Sequence, residues 1–107
     1  MDAPDNLACE MADKIRRAVD PDRIILFGSR ARGTADSRSD YDLLIVASSP
    51  LPRWHRAASL YRLLAGMGAA KDIVWWTPEE VDEWRAVRSH FITRILREGK
   101  VLYEKSA

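Results

Sequence analysis

Residues 25–46 read ILFGSRARGTADSRSDYDLLIV: an apolar run, a loop dense in arginine, serine and aspartate, and a second apolar run. The first run belongs to RIILF (23–27), a β-branched-rich strand candidate closed by Gly28. The second, YDLLIV (41–46), is nearly continuous in apolar residues, which predicts a strand covered on both faces. Between them lies either a solvated turn or a site that holds something highly charged.

Outward from this segment, Leu7, Met11, Ile15 and Val19 recur every fourth residue and predict an amphipathic helix over 6–19, ended by Pro21. Downstream, PLP (50–52) breaks the chain before a helix expected from about Trp54 to Gly66, with Leu60, Leu63, Leu64 and Met67 as its core stripe. DIVWW (72–76) predicts the third strand. TPEE (77–80) then has Thr77 as N-cap, Pro78 in the first helical position and Glu80 placed to close a capping box. Phe91, Ile92, Ile95 and Leu96 mark a last helix stopped by Gly99, and KVLY (100–103) an edge strand. The order α, β, loop, β, α, β, α, α, β indicates one α/β (α+β) domain over 1–107, a mixed sheet flanked by helices.

A chain of 107 residues can bury a core for one domain, and 31% charged against 47% hydrophobic residues suits a globular fold. The formal net charge of +1 gives no support to direct nucleic-acid binding, so any cationic site must come from clustering such as Arg30, Arg32 and Arg38. Cys9, alone of its kind, reads as a small apolar filler. No apolar run reaches membrane-spanning length, and the opening MDAPDN is acidic, so no membrane association and a cytoplasmic location are expected. His55 and His90 have no metal-ligand spacing and read as surface or capping residues. Arg85, Arg88, Arg94 and Arg97 read as a solvated helix face. Alternation puts Asp72, Val74 and Trp76 on one face of the third strand, with Trp76 expected in the core; Trp84 could pack with Val81 and Val87 or, if exposed, anchor a partner.

Asp40 and Asp42 are two apart at a strand start, so both carboxylates point the same way and repel. A divalent cation would offset that repulsion, because Mg²⁺ prefers carboxylate and phosphate oxygens; a solvated loop end is the alternative. Gly28 and Ser29 follow the first strand directly and offer backbone N–H groups and a hydroxyl to an anion, with a helical turn expected at RAR. A nucleoside triphosphate with its metal needs both sets at once. Asp72, opening the third strand, is the third-carboxylate candidate.

Gly28-Ser29, ten residues, then Asp40-x-Asp42 resembles the signature of DNA polymerase β-like nucleotidyltransferases, and FGSRARG with DLLIV resembles their minimal (MNT) branch. The resemblance extends through Asp72 to ILREGKVLYE, nearly the whole chain. It implies that Gly28, Ser29 and Arg32 hold the triphosphate of ATP, and that Asp40, Asp42 and Asp72 are catalytic and bind Mg²⁺, two ions in number. Arg30 and Arg38 rank as phosphate or partner contacts. Many members of the branch act as antitoxin to a HEPN-domain toxin, transferring AMP to one of its tyrosines. The resemblance therefore implies a protein adenylyltransferase with a HEPN toxin as partner. A non-catalytic module that occludes the toxin, or an aminoglycoside-type small-molecule nucleotidyltransferase, are the alternatives.

Overall fold

Four strands form one sheet in the order β3–β2–β1–β4: β1 Arg23–Phe27, β2 Tyr41–Val46, β3 Lys71–Trp76 and β4 Lys100–Glu104. The computed structural model describes residues 6–36, 38–87 and 90–106. β1 pairs antiparallel with both β2 and β4, while β2 pairs parallel with β3, so the sheet is mixed as expected. The expected edge strand is present, and its register with β1 shifts between Ile24 and Ile25, the signature of a bulge. At the other edge, the Ile73 N–H donates to the Tyr61 hydroxyl at 2.8 Å, which occupies a group that an open edge would leave bare.

β2 is covered on both faces because its side chains alternate between two cores. Leu43 and Ile45 pack with Ile24, Leu26, Ile73 and Trp75 beneath α1 (Asn6–Val19) and α4 (Ala58–Leu63). The helical stripe is legible there: Met11 and Ile15 are fully buried, and Leu7 and Val19 pack at the margin. Leu44 and Val46 face the other way, against Ile25, Trp76 and the helices α5 (Pro78–Trp84) and α6 (Phe91–Glu98). The second core therefore covers the C-terminal half of β2 and β3 and leaves their N-terminal ends open.

The helix expected over 54–66 is instead two pieces, α3 (Arg53–Arg56) and α4. α3 opens on a tight bond from the His55 N–H to the Pro52 carbonyl, and the ladder restarts at Ala57, whose carbonyl accepts from both Leu60 and Tyr61. Arg56 fixes the break. Its guanidinium is buried and donates to the Leu51 carbonyl at 2.8 Å, the Trp75 carbonyl at 3.3 Å and the Glu80 carboxylate at 2.6 Å. Leu64 is fully buried and Met67 partly so, but both lie in the turn beyond α4.

The capping box at α5 forms as read: Thr77 Oγ1 accepts from the Glu80 N–H, and the Glu80 carboxylate accepts from the Thr77 N–H. The same carboxylate receives Arg56, which holds it well below the usual carboxylate range, at about 2. His90 caps α6 by accepting from the Ile92 N–H and stacks on Trp84, which is 37% exposed. Trp76 is buried and Trp54 stands 80% exposed. Gly99 ends α6 in an extended conformation (φ −75°, ψ 164°), so left-handedness is not the reason for glycine. A Cβ there would lie 2.4 Å from Ile25 Cγ2 and 2.7 Å from the Ile95 carbonyl oxygen. Close approach of the α6–β4 turn to β1 excludes a side chain.

Candidate active site

Strand register places the key residues in a row. Phe27 pairs with Asp42 across β1 and β2, and Asp42 pairs with Asp72 across β2 and β3. Leu44 and Val74 follow two residues on in the second core, so Asp42 and Asp72 share its face at the uncovered end of the sheet. Asp40, two residues before Asp42 and just outside β2, is exposed, as is Asp72, while Asp42 is half-buried.

Gly28 continues β1 into this row with φ 74° and ψ −156°, a region essentially reserved for glycine. A Cβ on Gly28 would stand 2.1 Å from Asp42 Oδ2. The carboxylate therefore rests directly against the bare backbone of the turn. From there the chain enters α2 (Ser29–Arg32), a single turn in which the Ala31 and Arg32 N–H groups donate to the Gly28 carbonyl. One turn has too few aligned peptides for a substantial macrodipole. Anion binding at this point would rest on local N–H groups, the Ser29 hydroxyl and arginine.

The loop between α2 and β2 is internally braced. Arg30 lies over the Tyr41 ring, 3.9 Å from its centroid, and donates to the Ser39 carbonyl at 3.0 and 3.1 Å and to the Asp36 carbonyl at 3.3 Å. The Asp36 carboxylate accepts from the Arg38 N–H at 2.8 Å, and Ser39 Oγ accepts from the Asp36 N–H. Arg30, ranked from sequence among phosphate or partner contacts, thus ties the loop together and holds Asp40 at its end. Arg38 is exposed.

Charge gathers around Asp42. Burial raises its carboxyl above the usual range, the charges of Asp72 and Asp40 push the same way, and Arg32 opposes them. All four sequence-chosen charges therefore act on one point. Among the described residues no three acidic, histidine or cysteine side chains already form a cluster able to hold an ion. The donor set nonetheless fits a hard divalent cation: hard carboxylate oxygens carrying uncompensated negative charge, two of the carboxylates on exposed side chains.

Beside Gly28 opens a cavity of about 180 Å³ between two walls, Gly28, Ala31 and Arg32 on one side and Phe91, Arg94 and Ile95 on the other. Sequence reading missed this second wall. Of the four arginines read as one solvated face, Arg85 sits at the end of α5 and pairs with Asp82, and Arg97 pairs with Glu98 on α6. Arg94 turns to the cavity, and Arg88 lies outside the described residues. Nothing in the spacing of Arg94 signals its role, because only the packing of α6 on β1 brings it near residue 32.

The pattern of the polymerase beta nucleotidyltransferase family matches residues 10–107. The chain belongs to that family. No curated protein sequence matches it. Among solved structures, it is similar to a protein from Sulfolobus solfataricus classed as a nucleotidyltransferase, at 21% identity and a TM-score of 0.66, covering 94% of this chain and 79% of that one. It is also similar to a toxin–antitoxin structure with AMP-PNP (24% identity, TM-score 0.61, 92% and 74% covered). A mutant of the toxin–antitoxin pair MntA–HpeT matches at 22% identity and a TM-score of 0.57, again over 92% and 74%. These likenesses show a shared nucleotidyltransferase fold, the α+β mixed sheet anticipated from the sequence. Among the described residues no helix is long and apolar enough to cross a membrane.

Proposed function

We propose that this nucleotidyltransferase transfers AMP from ATP to a hydroxyl of a protein partner, a tyrosine of a HEPN-type toxin, and acts as its antitoxin. The observation that carries the reading is the pairing of Asp42 with Asp72 across β2 and β3, with the Asp42 carboxylate against Gly28 just beyond β1 and Arg32 and Asp40 acting on the same point. Support for the partner comes from the toxin–antitoxin structures that share the fold, and support for ATP from the neighbour with AMP-PNP.

In this reading Gly28, Ser29 and Arg32 hold the β- and γ-phosphates. Asp40, Asp42 and Asp72 would hold Mg²⁺, whose chemistry when bound is to neutralise the cluster and polarise the phosphoryl oxygens. The acceptor hydroxyl oxygen forms a bond to the α-phosphorus as the bond to the bridging oxygen breaks. Asp72 assists removal of the hydroxyl proton, and pyrophosphate departs past Gly28 and Arg32. The open end of the sheet leaves the approach to Asp72 free for a macromolecular acceptor.

The test is co-expression with the product of the neighbouring gene, followed by the intact mass of that product. Gain of one or more adenylyl groups with the native chain, and none with Asp42→Asn, supports transfer. An unmodified yet inhibited partner refutes transfer in favour of occlusion.

A further inference from the structure

We propose that Arg94 is a second phosphate-binding arginine, which closes on the triphosphate and the departing pyrophosphate from the side opposite Arg32. The proposal rests on the nucleotide reading above and adds a residue from a helix some sixty positions away in sequence. Arg32 and Arg94 stand on facing walls of the cavity beside Gly28, one on α2 and the other on α6. Gly28 belongs both to that cavity and to the turn against which the Asp42 carboxylate rests. A polyanion held at the turn would therefore have Arg32 and Arg94 within the same cavity, with Asp42 resting against the Gly28 backbone.

Two observations separate Arg94 from an ordinary surface arginine. First, its neighbours on these helices are committed: Arg85 to Asp82 and Arg97 to Glu98. The Arg94 guanidinium has no hydrogen bond or ion pair among the described residues, and although the residue is exposed it lines the cavity beside Gly28. Second, the acidic residue in the same cavity, Glu98, is engaged by Arg97, which reduces its competition for Arg94. Phe27, Phe91 and Ile95 supply the apolar part of the lining, while both arginines are exposed and free to reach phosphate oxygens with planar guanidiniums suited to them. Because α6 is anchored through Ile92 and Ile95 in the second core, Arg94 is carried on a fixed support.

The experiment compares binding of ATP, AMP and inorganic pyrophosphate, each with Mg²⁺, to the full chain and to Arg94→Ala, Arg94→Lys and Arg85→Ala, with a thermal melt of each. Arg94→Ala should weaken ATP and pyrophosphate about tenfold or more, the scale of a charge-assisted hydrogen bond, and AMP less than about twofold. Arg94→Lys should recover part of the loss, and Arg85→Ala should bind like the native chain. Equal weakening of ATP and AMP would place Arg94 at the nucleoside instead and overturn the proposal, as would unchanged binding in a folded Arg94→Ala. A native chain that binds neither ATP nor pyrophosphate overturns the nucleotide reading itself, a result distinct from native binding that is indifferent to Arg94.

Discussion

Replacing Gly28 by alanine tests the central geometry, because two separate costs meet at that atom. Its φ of 74° with ψ of −156° costs an alanine about 1–3 kcal/mol in backbone strain. The new Cβ would also lie 2.1 Å from Asp42 Oδ2, so the carboxylate must swing away, at a further ~0.5–1.5 kcal/mol for a displaced rotamer. The lower conformational entropy of an unfolded alanine offsets about 0.4–1 kcal/mol. The net is about 0.5–4 kcal/mol, centred near 2, and each kcal/mol lowers the melting temperature by roughly 4–8 °C for a domain of this size. Gly33 supplies the control: its φ is 78° with ψ 14°, an ordinary left-handed turn, and a Cβ there meets nothing within 4 Å. Gly33→Ala should cost no more than about 1 kcal/mol after the same entropy offset and leave Mg²⁺-ATP binding intact. The assays are thermal melts and calorimetric titration with Mg²⁺-ATP. If both variants melt alike and bind alike, the placement of Asp42 against Gly28 is wrong.

Asp42→Asn should raise the melting temperature of the unliganded protein, because it removes a half-buried charge crowded by Asp72 and Asp40, while abolishing transfer; scanning calorimetry and the partner's mass check the two halves. Glu80 contributes stability through a carboxyl held at about 2 against an ordinary 4.5. Because its folded value is depressed, that contribution is fully present above about pH 5 and is lost as the pH falls towards 2, and in a partly open site it amounts to about 1–2 kcal/mol. Urea melts between pH 3 and 7 should show a shallower pH dependence in Glu80→Gln, along with a lower stability at pH 7 from the stranded Arg56 charge. Gly99→Ala should destabilise by about 1–3 kcal/mol through contact with Ile25 and the Ile95 carbonyl, with Mg²⁺-ATP affinity retained in the folded fraction.

Much of this architecture is legible in sequence because it depends on period and local chemistry. The strands at 23–27 and 41–46, the helix over 6–19 and the Thr77 capping box are local statements, and each is found where its pattern puts it. The pairing of Asp42 with Asp72 was approachable, since both follow from strand faces once the sheet order is given. What local pattern does not carry is competition for a side chain. Arg30 stands next to the Gly28-Ser29 turn in sequence, yet Tyr41 and the Ser39 carbonyl claim it. Arg56 breaks a helix that its own periodicity favours, because Trp75 and Glu80 supply partners from elsewhere in the fold. Gly99 was legible as a stop but not for its reason, which lies in Ile25 on a neighbouring strand.

The site divides into a fixed centre and a free rim, and the division follows from the sheet. Asp42 is set by paired strands on both sides and by the Gly28 backbone, so it keeps its place without a ligand. Asp40 and Asp72 stand at strand ends, exposed, and their placement relies on the Arg30-braced loop and on the beginning of an edge strand. Drawing three like charges together before a cation arrives would cost stability with no compensating contact. An arrangement that holds one carboxylate rigidly and leaves the other two exposed at strand ends limits that repulsion, because solvent screens the exposed pair. The same logic applies to the cations. Arg32 already opposes the charge on Asp42, whereas Arg94 lines the same cavity from α6 and, on the proposal above, acts only once a ligand spans it.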